Sequence, residues 1–177
     1  MDENKKTLQH YLSSYLNREK RSALQFALLG FLALGLGVFG FAYTNSLVWS
    51  GAVPPLIIIG LVQLFIGSFS YSKTTRQVKT LSVQLDEQPD VFFKNEIERM
   101  EKVESSFKKY QLIEIGFFCM GFFLMMLGAF GPGSKYMMGS GAALIGLIGL
   151  IYLMNLLNSY RASFYKSKLF KFKDLLK

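Results

Sequence analysis

One carboxylate, Glu114, sits a few residues inside an otherwise apolar run, KKYQLIEIGFFCMGFFLMM (residues 108–126). Ionisable side chains at membrane depth are costly, and they mark proton relays, ion paths or substrate sites. The chemistry open to Glu114 is therefore proton or cation handling. It lies about one helical turn, roughly 5 Å, inside the run, and Lys108 and Lys109 stand just outside. Gln63, near the middle of another apolar run, is the deepest strongly polar side chain; an amide there bonds across to a neighbouring helix. Asn155 and Asn158 reach the depth of Glu114 from the last apolar run, and an offset of 89 residues pairs Glu114 with Gln25. Glu114, Gln25, Gln63, Asn155 and Asn158 form a candidate intramembrane polar network. Boundary and interhelical packing account for it more simply than a proton path.

Little else could do chemistry. The single histidine, His10, rules out a multi-histidine metal site within one chain, and the single cysteine, Cys119, has no intrachain partner. No glycine-rich phosphate loop with its lysine and no nucleophile–base set is present. The expectation is a protein that is not an enzyme and holds no cofactor or metal.

The elements that carry these residues follow from charge and hydropathy. Of 177 residues, 51% are hydrophobic, and they are segregated. No Asp, Glu, Lys or Arg occurs from Ser22 to Ser72, and only Glu114 and Lys135 occur from Tyr110 to Tyr160. A helix crosses about 30 Å of hydrocarbon with roughly 20 apolar residues, so each block holds two spans. These are placed near 23–43, 53–72, 112–131 and 136–157. The first run starts after a charged tail and lacks a small-residue cleavage motif, so it reads as a retained span. Pro54 and Pro55 suit a helix start, where missing N–H groups cost nothing, and GPGSK (131–135) suits a tight turn.

Nineteen of the 20 basic residues lie in the N-terminal tail, the 73–109 segment and the C-terminal tail. The positive-inside rule then puts both termini and the central segment in the cytoplasm, with Tyr43, Trp49 and Tyr136 at the outer interface. A bacterial cytoplasmic (inner) membrane fits this bias. The formal net charge of +8 matches anionic lipid at the cytoplasmic face and requires no nucleic acid.

The order helix–span–span–helix occurs twice, over 1–85 and 91–177, joined by a cytoplasmic helical hairpin at 73–110. LGVFG (36–40) answers LGAFG (127–131), and Tyr71 answers Tyr160. An even number of spans per unit makes this a parallel repeat. The fold class is an all-α membrane protein of four transmembrane helices in two tandem units, with amphipathic cytoplasmic helices. The first tail offers Leu8, Leu12, Tyr15 and Leu16, and 74–85 offers Val78, Leu81 and Leu85. Asp90 stands ready to cap the next helix. Ile97, Met100 and Phe107, with Tyr165, Leu169, Phe172 and Leu176, line apolar faces suited to an interaction surface or to packing within the chain.

Small residues recur at spacings of three and four in Gly30, Ala33, Gly37 and Gly40 and in Gly139, Ala142, Gly146 and Gly149, and at seven in Gly60 and Gly67 and in Gly121 and Gly128. Without a hydrophobic drive between helices in lipid, close backbone approach supplies the attraction, so these stripes predict a tight antiparallel bundle. The expected function is association: an accessory, regulatory or scaffold subunit, self-associating as a homo-oligomer or bound to a protein partner. The alternatives are an oligomeric channel or membrane-permeabilising effector and, further off, a small-solute transporter.

Overall fold

The computed structural model describes residues 2–131 and 134–175, with side chains from 5 to 131 and 134 to 174. The described residues form four helices: α1 (Asp2–Tyr43), α2 (Leu47–Glu87), α3 (Pro89–Phe130) and α4 (Lys135–Leu175). Each has 41 or 42 residues, about 62 Å at 1.5 Å per residue and twice the thickness of a hydrocarbon core. All four are long and apolar enough to cross a membrane, which fits an integral membrane protein. One end of each helix is apolar and the other charged, and no break separates them.

The two halves are built on different principles. In the apolar half the large side chains point outward: Phe41 is 80% exposed, Phe65 74% and Phe130 82%. In water such a surface would be untenable; in hydrocarbon it is the solvated face. What lies inside is small, a cluster of Ala33, Ala52, Leu56 and Leu147. The charged half has an ordinary core instead. Leu8, Leu12 and Leu16 of α1 meet Leu81 and Leu85 of α2, Phe92 and Met100 of α3, and Leu169 and Phe172 of α4. Burying each such side chain stabilises the fold by about 1.5–3 kcal/mol.

Helix α1 packs along α2, and α3 along α4, while α2 also packs against α4. Among the described residues α1 and α3 have no close backbone approach; side chains bridge them, as where Arg99 of α3 stands 3.9 Å from Glu19 of α1. The connections are short. Only Thr44, Asn45 and Ser46 separate α1 from α2, and Gln88 alone, at φ −140° and ψ 72°, separates α2 from α3. Pro89 is the first residue of α3, so Asp90 lies inside the helix and Gln88, not Asp90, occupies the cap position. Pro132 and Gly133 of the expected 131–135 turn lie outside the described residues.

One boundary differs from the sequence reading in an informative way. Helix α2 starts at Leu47, so Pro54 and Pro55 sit inside it rather than at its start. A proline in a helix frees the carbonyl four residues earlier. For Pro55 that carbonyl belongs to Gly51, and it accepts a hydrogen bond from Ser140 Oγ of α4 at 2.7 Å. A neighbouring hydroxyl thus replaces the missing N–H, as apolar surroundings demand. Ser140→Ala is expected to cost about 1–3 kcal/mol through the orphaned carbonyl. Thermal unfolding in detergent checks this, and the cost should shrink in a Pro55→Ala background, where the helix can supply its own donor.

The same crossing brings backbones together. A Cβ added at Gly51 would overlap the Tyr136 carbonyl, and one added at Gly139 would overlap the Val48 carbonyl. The two contacts are reciprocal: Gly51 and Val48 of α2 face Gly139 and Tyr136 of α4, each pair 88 positions apart.

Candidate functional site

The polar groups in the apolar half do not form one network. Glu114 (α3) is buried, 7% exposed, and Asn155 Nδ2 of α4 donates to its Oε1. Its second oxygen, Oε2, is buried without a hydrogen-bond partner among the described residues, and so is Oε1 of Gln63 on α2. Asn158 is engaged elsewhere: Ser22 Oγ of α1 donates to its Oδ1 at 2.7 Å. Gln25 is exposed on α1 and stands apart from Glu114. Glu114→Gln is expected to fold normally, within about 1 kcal/mol, because an amide oxygen still accepts from Asn155; Glu114→Leu, which orphans that donor, should cost about 1–3 kcal/mol. Comparison of the two unfolding midpoints in one detergent checks this.

Glu114, Gln63, Ser22, Asn155 and Asn158 line a crevice of about 520 Å³ between the helices, at the level where apolar gives way to charged. Its other walls are apolar, with Phe65, Ile66 and Phe69 of α2 and Ile113 of α3. Arg18, Lys73 and Arg161 stand around its charged-side mouth. Arg161 is half-buried, and its hydrogen bonds reach only neutral oxygens, Ser22 Oγ at 3.4 Å and Asn158 Oδ1 at 3.5 Å.

Just beyond the mouth lies a charged cluster inside the extramembrane-like core. Glu96 (α3) is fully buried and takes two hydrogen bonds from Arg99, 2.8 Å from Nε and 2.7 Å from a terminal nitrogen. Arg99 also stands 3.9 Å from Glu19 of α1 and 5.8 Å from the centroid of Tyr15. Tyr15 stacks on Tyr165 of α4, 4.4 Å between centroids. Burial pushes both tyrosine hydroxyls far above their ordinary range, with Glu19 next in effect at Tyr15 and Glu96 at Tyr165. The Tyr165 hydroxyl lies near Glu96 without a well-formed hydrogen bond. Burial works against the charge on Arg99, but the Glu96 hydrogen bonds and charge outweigh it and hold the guanidinium protonated.

Glu19 is the strained member. Burial raises its carboxyl above the ordinary value and Glu96 adds to this, while Arg99 and Lys73 pull the other way. A carboxyl raised in the folded state binds more protons than in the unfolded chain. Stability must then fall as pH rises from the ordinary carboxylate value through the raised one, and stay low above it. Glu19→Gln is expected to flatten that slope, as read from unfolding midpoints between about pH 4 and pH 8.

The helix-contact positions divide sharply. A Cβ at Gly30 would come within 2.6 Å of the Gly60 carbonyl, and one at Gly67 within 2.7 Å of the Ala23 carbonyl. Gly37 faces Ile57, Gly40 faces Trp49, Gly121 faces Leu144, and Gly128 faces the Met138 backbone; Ala33 is buried. On α4 only Gly139 of the expected stripe meets a backbone. Gly149 touches Phe118 at 3.9 Å, Gly146 has open space and Ala142 is exposed. Gly51 and Gly141, which no periodicity singled out, are the other tight crossings. A signal for Gly51 was present: a glycine four residues before a proline marks a freed carbonyl with room for a donor.

The expected interaction surface faces inward. Met100, Tyr165, Leu169 and Phe172 are buried in the common core, and Ile97 and Phe107 pack against it. They cannot meet a partner while the bundle is closed. Leu176 lies outside the described residues.

Fold and site together define a protein of four membrane-length helices with a charged helical bundle at one end. Comparison with family models, with curated proteins and with solved structures finds no match for this chain. Among the described residues no group of three His, Cys, Asp or Glu side chains is placed to hold a metal.

Proposed function

We propose that this chain is a non-catalytic integral membrane protein that works by association, as a scaffold, accessory or regulatory subunit of a bacterial cytoplasmic membrane. The observation that carries this reading is the pair of unlike halves. Unbroken helices expose their aromatics where lipid would lie and bury a shared core where water would lie. Both termini and the α2–α3 connection stand at the basic end, which the positive-inside rule assigns to the cytoplasm. The near-equal helix lengths, starts at Asp2 and Leu47 against Pro89 and Lys135, and the reciprocal Gly51–Gly139 crossing support a tandem duplication.

The docking face in this reading is the charged exterior of the bundle, since its apolar residues are used internally. Glu98 and Lys102 form an exposed pair at 2.7 Å on α3, and Lys171 is exposed on α4. Charge reversal of Glu98, Lys102 and Lys171 together is the test: a co-purifying partner should be lost while the bundle stays folded. Undiminished recovery would count against the proposal. The exposed Ala142 and Gly146 favour a second reading, self-association through α4 as in an oligomeric channel. Stoichiometry in nanodiscs with ion flux in liposomes separates the two, because a monomer passing no ions leaves only the first.

A further inference from the structure

We infer that the lateral crevice at the base of the apolar half is a binding site for one anionic phospholipid. The inference rests on the membrane reading above and goes beyond it in naming a ligand and its seat. A closed packing interface would satisfy its polar atoms, yet among the described residues three side chains lining this crevice leave an acceptor without a hydrogen bond: Glu19, Gln63 at 8% exposure and Glu114 at 7%. Apolar packing alone would not leave such atoms facing a cavity. The space itself, about 520 Å³, lies within the range of small-ligand sites.

The chemistry changes with depth in the order of a phospholipid. At the mouth, Arg161 holds a half-buried charge with only long hydrogen bonds to neutral oxygens, and Arg18 and Lys73 flank it. A guanidinium so placed has unspent donors for a phosphate. Glu19 is the acid at this mouth, and it stands beside Arg99 of the inner cluster. From Arg161 to Asn155 is six residues, about 9 Å along α4. Asn158, three residues from Arg161, and Asn155, six residues from it, carry amide groups that can donate to the glycerol and ester oxygens of a phospholipid lying over that depth. Phe65, Ile66 and Ile113 supply an apolar wall for an acyl chain. Phe65 and Phe69 of α2 and Tyr110 and Ile113 of α3 line the crevice and are themselves exposed, so it opens toward the bilayer on that side.

Full-length protein in a neutral detergent, titrated with dioleoyl-phosphatidylglycerol or dioleoyl-phosphatidylcholine and read by native mass spectrometry, tests this. The expected result is one tightly held phosphatidylglycerol per chain, at least tenfold preferred over phosphatidylcholine. Arg161→Gln should abolish the preference. Ile66→Trp, which fills the crevice without touching Arg161, should displace the lipid. Lys171→Gln, away from the crevice, should leave it bound. Melting midpoints without added lipid show that each variant is folded; Ile66→Trp decides alone if Arg161→Gln is not. Equal retention of the two lipids, or retention unchanged in a folded crevice variant, overturns the site. So does competition by free glycerol phosphate at concentrations matching the lipid, because the acyl wall would then contribute nothing. A chain that stays soluble and monodisperse without detergent would instead overturn the membrane reading.

Discussion

Gly139→Leu is expected to prevent the four helices from assembling. A side chain at this position would have to occupy the place of the Val48 carbonyl, and neither backbone can give way without moving a whole helix. Overpacking a core ordinarily costs about 1–3 kcal/mol because side chains can shift rotamer. Here the obstacle is main chain, so even Gly139→Ala should exceed that range. The same reasoning applies at Gly51 against the Tyr136 carbonyl. Gly146→Ala is the control, since nothing lies within 4 Å of its added Cβ, and it should change stability by less than about 0.5 kcal/mol. Loss of the monodisperse peak in detergent for Gly139→Leu, with a normal peak for Gly146→Ala, is the expected pair of outcomes. A normal peak for both would mean that α2 and α4 do not cross where described.

Removing Arg99 should be nearly as damaging, for an electrostatic reason. Glu96 is fully buried, and Arg99 supplies both of its hydrogen bonds. Arg99→Met leaves an uncompensated carboxyl in the core, at a cost of about 3–5 kcal/mol. Replacing both partners, Glu96→Leu with Arg99→Met, removes the charge along with its counterion and should recover most of that loss. Unfolding of the four chains of this double-mutant cycle, followed by circular dichroism, measures the coupling. A double variant no more stable than Arg99→Met would show that the pair contributes through something other than charge compensation.

The four helices were legible because charge is excluded from hydrocarbon, and the long gaps in charge mark where each helix is apolar. Their lengths were less so. The doublet Pro54–Pro55 argues locally for a helix start, and only a donor from another helix, Ser140, lets α2 continue through it. The amphipathic faces around Met100 and Leu169 were also plain, but periodicity says that a face is apolar without saying what covers it. The α4 stripe shows the same limit. That helix faces α2 through Gly139 and α3 through Gly141, so its contacts lie on two stripes, and the more regular row of Ala142 and Gly146 turns outward. Gln25 and Glu114 match in sequence position, yet α1 and α3 stand apart. Among the described residues only Asn155, on the helix that packs against α3, donates to the acid.

The single residue Gln88 between α2 and α3, and the absence of any break along either helix, has a mechanical consequence. Each helix is a stiff strut, and the tight Gly51–Gly139 crossing near one end acts as a fulcrum. Rocking α2 by about 5° over the ~54 Å from Gly51 to its tip would carry that tip roughly 5 Å sideways. The crevice walled by Phe65, Ile66 and Phe69 lies along the arm of that lever, so tilting α2 would widen or narrow it.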